Sequence, residues 1–514
     1  MKTFARSLQD YPPAMLRAIA ETTGVTLTSN VTRRMVEELA VSLGHPEPVD
    51  ALVATCSVTA REALAVLLRS EGRSLRLAFE RQYGVIRAMG PGRLERERPH
   101  LAPINPSEEL LYRGLIFSAF AETPSGMAEF LYIPGDIASL LPPPEPVLAG
   151  LRVPACSPPD SVQPANDFLL HDICTLLCLV QAGEVHLVDG DDPISWQRTS
   201  LYELNRILLQ PSARLDESLH DGPGSPAALA LALVNDLGWL RPRGRRRLAL
   251  HGAAVRSWLE APRDQQRRVL RDAWQASQSW NDLCRTPSLA CEDTGNWDND
   301  SVATRERLLQ LLAQLEPGAW TTLDALVAAV KTTAPDFQRP DGDYDTWYIR
   351  ERDSQTYLRG FDCWDAVEGA LLRFCISGPL HWLGAVNLGL AAQQRFCLST
   401  TGYAWLTAQP SQTESPAGRL TVLADYTILV PGDAPLLDRF GVSRFTTWEP
   451  PTRSQPEAEP TFCYRITQSG LRRATEQGID ALRVLAFLQD RCAEPLPAPV
   501  ISGLQRWQNQ STSV

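Results

Sequence analysis

The apolar residues of this chain come in short blocks at helical spacing, and several groups of blocks end in a pair of brief extended runs. VTAREALAVLL (58–68) sets its Ala, Val and Leu residues three and four apart, with Thr59 as the expected N-cap. LRLAFERQYG (75–84) predicts a second helix, and SEELLYRGLIF (107–117) a third that starts at Ser107 behind Pro106. SAFAETPSGMAEFLYIP (118–134) then reads as strand, turn and strand with Pro-Ser-Gly at the tip. Three helices followed by a hairpin is the winged-helix plan.

The plan returns twice. FLLHDICTLLCLVQ (168–181), SWQRTSLYELNRILL (195–209) and SPAALALALVNDLG (225–238) predict helices, and WLRPRGRRRLALH (239–251) a hairpin. SVATRERLLQLLAQL (301–315), TTLDALVAAVK (321–331) and CWDAVEGALLRFCI (363–376) lead to the hairpin PLHWLGAVNLGLAAQQRFCLST (379–400). Each hairpin feeds a closing helix, as in RFCLSTTGYAWL (395–406). The same strand-to-helix step occurs in FCYRITQSGLRRATEQGIDALRVLAFLQDR (462–491), where Thr467 caps the helix. There it follows a β-rich stretch, 419–445, and predicts a small α+β domain instead. Pro-rich 141–164, polar 291–300 and turn-rich 408–418 punctuate the chain. The expected organisation is a helical segment plus a first winged-helix-like module in 1–145 and a second module with trailing helices in 155–290. A third module occupies 300–408 and the α+β domain 418–510, so the fold class is mainly α with small β hairpins.

TVLADYTILVPGDAPL (421–436), YRITQSGLRRATEQGIDALRVLAFLQD (464–490) and PLPAPVISGLQRW (495–507) together resemble the amino-terminal helicase-associated domain of the XPB family. DFQRPDGDYDTWYIR (336–350), GPLHWLGAVNLG (378–389), GVIRAMGPGRLERERP (84–99) and FLYIPGDIASLLP (130–142) resemble bacterial helicase-associated proteins that carry such a domain. The resemblance touches most of the chain and implies a setting in DNA transactions, with DNA or a helicase or other protein as partner. One departure is Gly470, where the family usually has Ser; a Gly in the first helical turn costs up to ~1 kcal/mol relative to Ala. On that reading it leaves the fold intact and loosens only the local helix.

No motor accompanies the domain. A phosphate-binding loop needs a Gly-Lys pair, and the two lysines, Lys2 and Lys331, follow Met1 and Val330. No Gly-x-Ser-x-Gly elbow or His-Glu-x-x-His pair occurs, so no enzyme activity and no cofactor are expected. DGDYD (341–345) lacks the sixth-position Gly and the acidic twelfth ligand of a calcium loop and reads as a solvated loop. His171, Cys174 and Cys178 share a helical face without a fourth ligand and read as core. The eleven Cys lie mostly in apolar runs, as reduced thiols of a cytoplasmic protein do. The longest uncharged stretch, 374–392, is interrupted by Gly378-Pro379, His381 and Asn387, which argues against a membrane span.

Charge narrows the nucleic-acid reading without removing it. A net charge of −11 excludes a protein coated in basic surface, yet phosphate contact needs only a few side chains. The expected contacts are Arg243, Arg245, Arg246 and Arg247 on the second hairpin, with Arg87 and Arg93 as a weaker set because Glu95 and Glu97 interleave. The third helices offer few base-reading groups: SPAALALALVNDLG has no Arg or Lys, and its Asn comes late. These features favour a non-enzymatic accessory or scaffold protein that binds DNA without sequence preference. A pure protein-interaction scaffold and a winged-helix transcription regulator are the alternatives.

Overall fold

The structure is a computed structural model that describes residues 2–70, 72–123, 126–141, 150–183, 224–243, 247–295, 297, 299–339, 342–389, 394–409, 417–449 and 460–511. It is about 53% helical and 14% strand, which makes it mainly α with small sheets. Two compact units form. The first comprises Met1–Gly150 with Arg339–Thr346, and the second Leu151–Gln338 with Trp347–Val514.

The first unit has the strands β1 (Arg73–Leu75), β2 (Phe117–Thr123) and β3 (Gly126–Tyr132), ordered β1-β3-β2 and antiparallel throughout. The helices Val58–Arg69, Arg76–Tyr83 and Pro106–Tyr112 match the expected three. They bury Leu64, Leu67, Phe79 and Leu110 against Phe117 and Leu131 of the sheet. The first helix is capped by Ser57 rather than Thr59: Ser57 Oγ accepts from Ala60 N–H at 3.1 Å. The Glu109 carboxylate fixes Ser57 by accepting from its N–H at 2.9 Å and its Oγ at 2.7 Å, which decides between the two hydroxyls. Asn105 caps the third helix, which begins one residue early at Pro106.

Residues 339–346 complete this unit, and they overturn the solvated-loop expectation. Asp343 Oδ1 accepts from the N–H of Asp345 at 2.8 Å, an ordinary turn, but Tyr344 between them is 5% exposed. The Arg81 and Arg339 guanidinium carbons lie 5.0 and 4.7 Å from its ring centroid. Asp341 lies outside the described residues.

In the second unit the strands are β4 (Val162–Gln163), β5 (Leu240–Arg243), β6 (Arg247–Leu250), β7 (Leu289–Cys291), β8 (Thr321–Thr322), β9 (Ile349–Glu351), β10 (Val386–Gly389) and β11 (Arg395–Leu398). They are followed by β12 (Thr421–Val422), β13 (Thr427–Pro431), β14 (Thr446–Glu449) and β15 (Thr461–Ile466). Two four-stranded sheets run β4-β10-β11-β8 and β12-β13-β15-β14, and β5-β6 and β7-β9 form ribbons. The expected helix 195–209 lies outside the described residues. The hairpin expected over 379–400 is shorter than predicted, because helix continues through Leu380. A π turn, Ile376–Leu380, carries Pro379, and His381 beyond it donates Nδ1–H to Val386 O at 2.9 Å. No helix among the described residues is long and apolar enough to cross a membrane.

All four strand-to-helix steps are present: β3 into Gly135–Ala138, β6 into Gly252–Glu260, β11 into Thr400–Leu406 and β15 into Gln468–Glu476. The last two share a local device. Ser399 Oγ accepts from Gly402 N–H at 2.9 Å, and Thr467 Oγ1 from Gly470 N–H at 3.1 Å. A Cβ on Gly402 would sit 2.0 Å from Ala385 O, and one on Gly470 would sit 2.5 Å from Phe445 O. Gly470 is therefore not a loosened turn. It lets the capped end press on the neighbouring backbone, and a Ser there would collide with it.

Buried arginines tie the second unit together. Arg439 donates to His171 O at 2.9 Å, Thr175 Oγ1 at 2.5 Å and Tyr464 Oη at 3.0 Å, with its guanidinium over Phe462. His171, Cys174 and Cys178 thus line a packed interior face, and burial pushes the His171 imidazole well below its ordinary pKa. Arg305 Nε donates to Asp282 Oδ2 at 2.6 Å, and both residues are buried. Arg271 donates to Leu383 O, Thr401 O and Gly384 O, and burial lowers its pKa to about 10. One pair of cysteines departs from the reduced-thiol expectation. β7 folds back beside the short helix Asp282–Arg285, bringing the Cα atoms of Cys284 and Cys291 to 5.4 Å, and a disulfide joins them.

Candidate nucleic-acid interface

The second hairpin forms where the Arg-rich run predicts it. Helix Pro226–Asp236 leads through Trp239 into β5, which pairs with β6 in the register Leu240↔Leu250, Arg241↔Ala249, Pro242↔Leu248 and Arg243↔Arg247. Leu248 and Leu250 are buried, and Trp239 packs against Trp258 with ring centroids 4.9 Å apart, so the hairpin is anchored at its base. Arg243 and Arg247 are the last backbone pair before the tip. Arg241 is exposed and has no carboxylate partner among the described residues. The side chains of Arg243 and Arg247, and Arg245 and Arg246 entirely, lie outside the described residues.

The weaker set looks different. Arg87 donates to Glu108 through Nε at 2.7 Å and Nη2 at 2.6 Å, and its backbone N–H adds a third bond at 3.0 Å. Glu108 is fully buried and also accepts from Ile104 N–H at 3.3 Å. Burial alone would raise this carboxyl, but the hydrogen bonds from Arg87 outweigh it and hold the pKa below the ordinary value. Arg87 also lines a cavity of about 190 Å³ with Tyr11, Met15, Arg76 and Leu94. Arg93 donates to Glu97 at 2.7 Å one helical turn on, and Arg98 is ion-paired with Glu21. The two Arg-rich stretches belong to different units.

The helices that would read bases do not present themselves for it. Pro226–Asp236 buries Pro226 to Leu231, Leu233 and Val234, leaving Asn235 and Asp236 exposed at its far end. In the helical stretch Asp365–Leu380, the exposed residues are the acid Asp365 and Ala366. Among the described residues no group of three or more His, Cys, Asp or Glu is placed to hold a metal ion.

A further cluster carries no motif and escapes sequence reading. The ribbon β7-β9 gathers Trp297, Trp347, Tyr348 and Tyr357, with Arg350 and Arg359, from three separate stretches. A close run of aromatic and Arg residues in DTWYIRERDSQTYLRG (345–360) is the signal that could have found it. No protein-family model matches the chain, and no curated protein matches it.

Proposed function

We propose that this chain is a non-enzymatic accessory or scaffold protein of DNA transactions, which binds duplex DNA weakly and without sequence preference. The β5-β6 hairpin carries this reading: an anchored ribbon brings Arg241, Arg243 and Arg247 together, with Arg245 and Arg246 between its strands. Arg at a hairpin tip suits bidentate phosphate contact, which positions a protein on DNA but reads no sequence. The buried helix Pro226–Asp236 argues against an operator-specific regulator.

The finer fold belongs to this reading. In 58–132 and in 301–398 a helix leads to a short strand and further helices lead to a hairpin, and the short strand pairs with the hairpin's last one, β1 with β3 and β8 with β11; helix Pro91–Glu97 in the first stretch and β9 in the second are additions to the plan. That order supports tandem winged-helix-like modules. The sheet β12-β13-β15-β14, with helices Gln468–Glu476, Ala481–Arg491 and Ala498–Ser511, supports the XPB-like domain and with it a helicase or other protein partner in the cytoplasm. A second reading, a scaffold that touches only protein, is favoured by Phe120 and Met127, 69% and 68% exposed on the β2-β3 hairpin.

The test is duplex binding against salt. Contacts to ~3–4 phosphates give a log–log slope of roughly −3, at −0.9 per phosphate. Replacing Arg243, Arg245, Arg246 and Arg247 together by Ala should flatten the slope and weaken binding equally for unrelated sequences. Equal binding by wild type and variant, or none at low salt, would sink the reading and leave the protein scaffold.

A further inference from the structure

One face of the β7-β9 ribbon gathers tyrosine and arginine side chains. Ile349 pairs with Cys291, and Glu351 with Leu289, so Ile349 and Leu289 turn inward, where both are buried. Alternation then places Tyr348 and Arg350 on the opposite face. A bridge pairs Arg350 with Tyr357, and Leu358 N–H bonds Ile349 O at 2.9 Å, so Tyr357 and Arg359 join that face. The two Tyr rings meet edge to face at 6.4 Å. The Arg359 guanidinium lies 5.2 Å from the Tyr348 centroid and 5.4 Å from that of Tyr357.

Three details set the chemistry of this face. Tyr357 is 44% exposed, yet its ring is fixed, because its hydroxyl donates to Glu292 Oε2 at 2.8 Å. Glu292 is also ion-paired with Arg350, so that charge is neutralised. Arg359 is exposed and pairs with no carboxylate of a described residue. The face therefore offers an ordered aromatic ring beside a guanidinium that has no carboxylate partner among the described residues. The Arg350 guanidinium also lies 5.5 Å from the Tyr357 centroid, so the ring is bordered by positive charge that repels a cationic ligand, while 44% of the residue stays exposed. A ligand that joins a flat ring to an anion fits both groups.

We propose that Tyr357 and Arg359, supported by Tyr348, form a stacking site for single-stranded DNA, with a base on Tyr357 and its phosphate on Arg359. Bases inside a duplex show no free face, so the site selects single strands. The proposal deepens the DNA reading above and rests on it for the nature of the partner, but it uses different residues from the β5-β6 hairpin.

The test is fluorescence anisotropy with labelled oligothymidylate and, separately, mixed-sequence duplex. Loss of one stacked base is worth about tenfold or more in affinity. Tyr357→Ala and Arg359→Ala should each weaken single-strand binding by about that factor and leave duplex binding unchanged. Tyr357→Phe keeps the ring and should retain most of the binding, which separates stacking from loss of the Glu292 tether. A 2-aminopurine base in the oligonucleotide should be quenched by the wild type and by Tyr357→Phe but not by Tyr357→Ala. Unchanged single-strand affinity in both Ala variants, or no single-strand binding by the wild type, overturns the proposal. If the hairpin Arg variant keeps its single-strand binding while no form of the protein binds duplex, the hairpin reading fails and this one stands.

Discussion

Residues 84–98 hold four arginines and the hairpin 240–250 five, and the fold pairs three of the first set with carboxylates. In the first, Arg87, Arg93 and Arg98 each lie on a carboxylate: Glu108, Glu97 and Glu21. Their charge is spent within the protein, and Arg87 in particular holds a buried acid in its charged form. In the second, Arg241 is exposed with no carboxylate partner among the described residues, and the backbones of Arg243 and Arg247 pair across the strands. Arginine content therefore does not mark a phosphate surface. What matters is whether a carboxylate already occupies the fork, because a competing phosphate must then displace a bidentate partner.

The comparison sharpens at its buried extreme, where the largest effect is expected. Arg305 and Asp282 are both buried, and Asp282 Oδ1 also accepts from the Trp280 indole at 2.8 Å. Arg305→Met leaves that carboxylate unpaired and should cost about 3 kcal/mol, the low end for a broken buried pair because the indole remains. Urea unfolding reads this directly. A loss below about 1 kcal/mol would mean that burial does not decide an arginine's role here.

Arg87→Ala comes next, at about 1–2 kcal/mol, since the buried Glu108 loses its charged donor while the partly exposed Arg87 position admits water. The effect has a pH signature. Glu108 titrates below its ordinary 4.5 in the folded chain, so its contribution is complete above that value and fades as the pH falls through the folded pKa. Without Arg87 the acid limb of the stability profile should flatten. An unchanged acid limb would show that the Arg87–Glu108 pair does not hold the proton off, and the contrast with the hairpin would weaken.

Much of this architecture was legible in the chain, and the pairing of charges was not. The strand-to-helix steps follow from period and caps, and the Thr467 cap is legible because the N–H it accepts from, Gly470, lies three residues on. The two-residue strand β8 and the three-residue β1 carry no period of their own, so β8 and the last residue of β1, Leu75, read as the starts of the helices that follow them. Gly470 looked like a weakness because the backbone it presses on, Phe445, is twenty-five residues away. Arg87 and Glu108 are separated by twenty-one residues, and Arg98 and Glu21 by seventy-seven. Only the local pair, Arg93 with Glu97 at one helical turn, was visible as interleaved charge. The aromatic ribbon was missed for the same reason, since its face exists only after β7, β9 and the bridge at Tyr357 align.

The smallest expected effect breaks the comparison most directly, because it converts one kind of arginine into the other. Arg93 and Glu97 are both about half exposed, so their ion pair is worth little and Glu97→Gln should leave stability nearly unchanged. The substitution frees the Arg93 guanidinium without moving its helix, Pro91–Glu97. If a carboxylate partner is what silences this segment, the variant gains at most one phosphate contact. Its duplex salt slope should then steepen by no more than about 0.9. Combining Glu97→Gln with the hairpin Ala variant should restore that single contact and no more. A slope in the combined variant as steep as the wild type's would mean that residues 84–98 are the principal interface, and that the hairpin's arginines are ordinary surface.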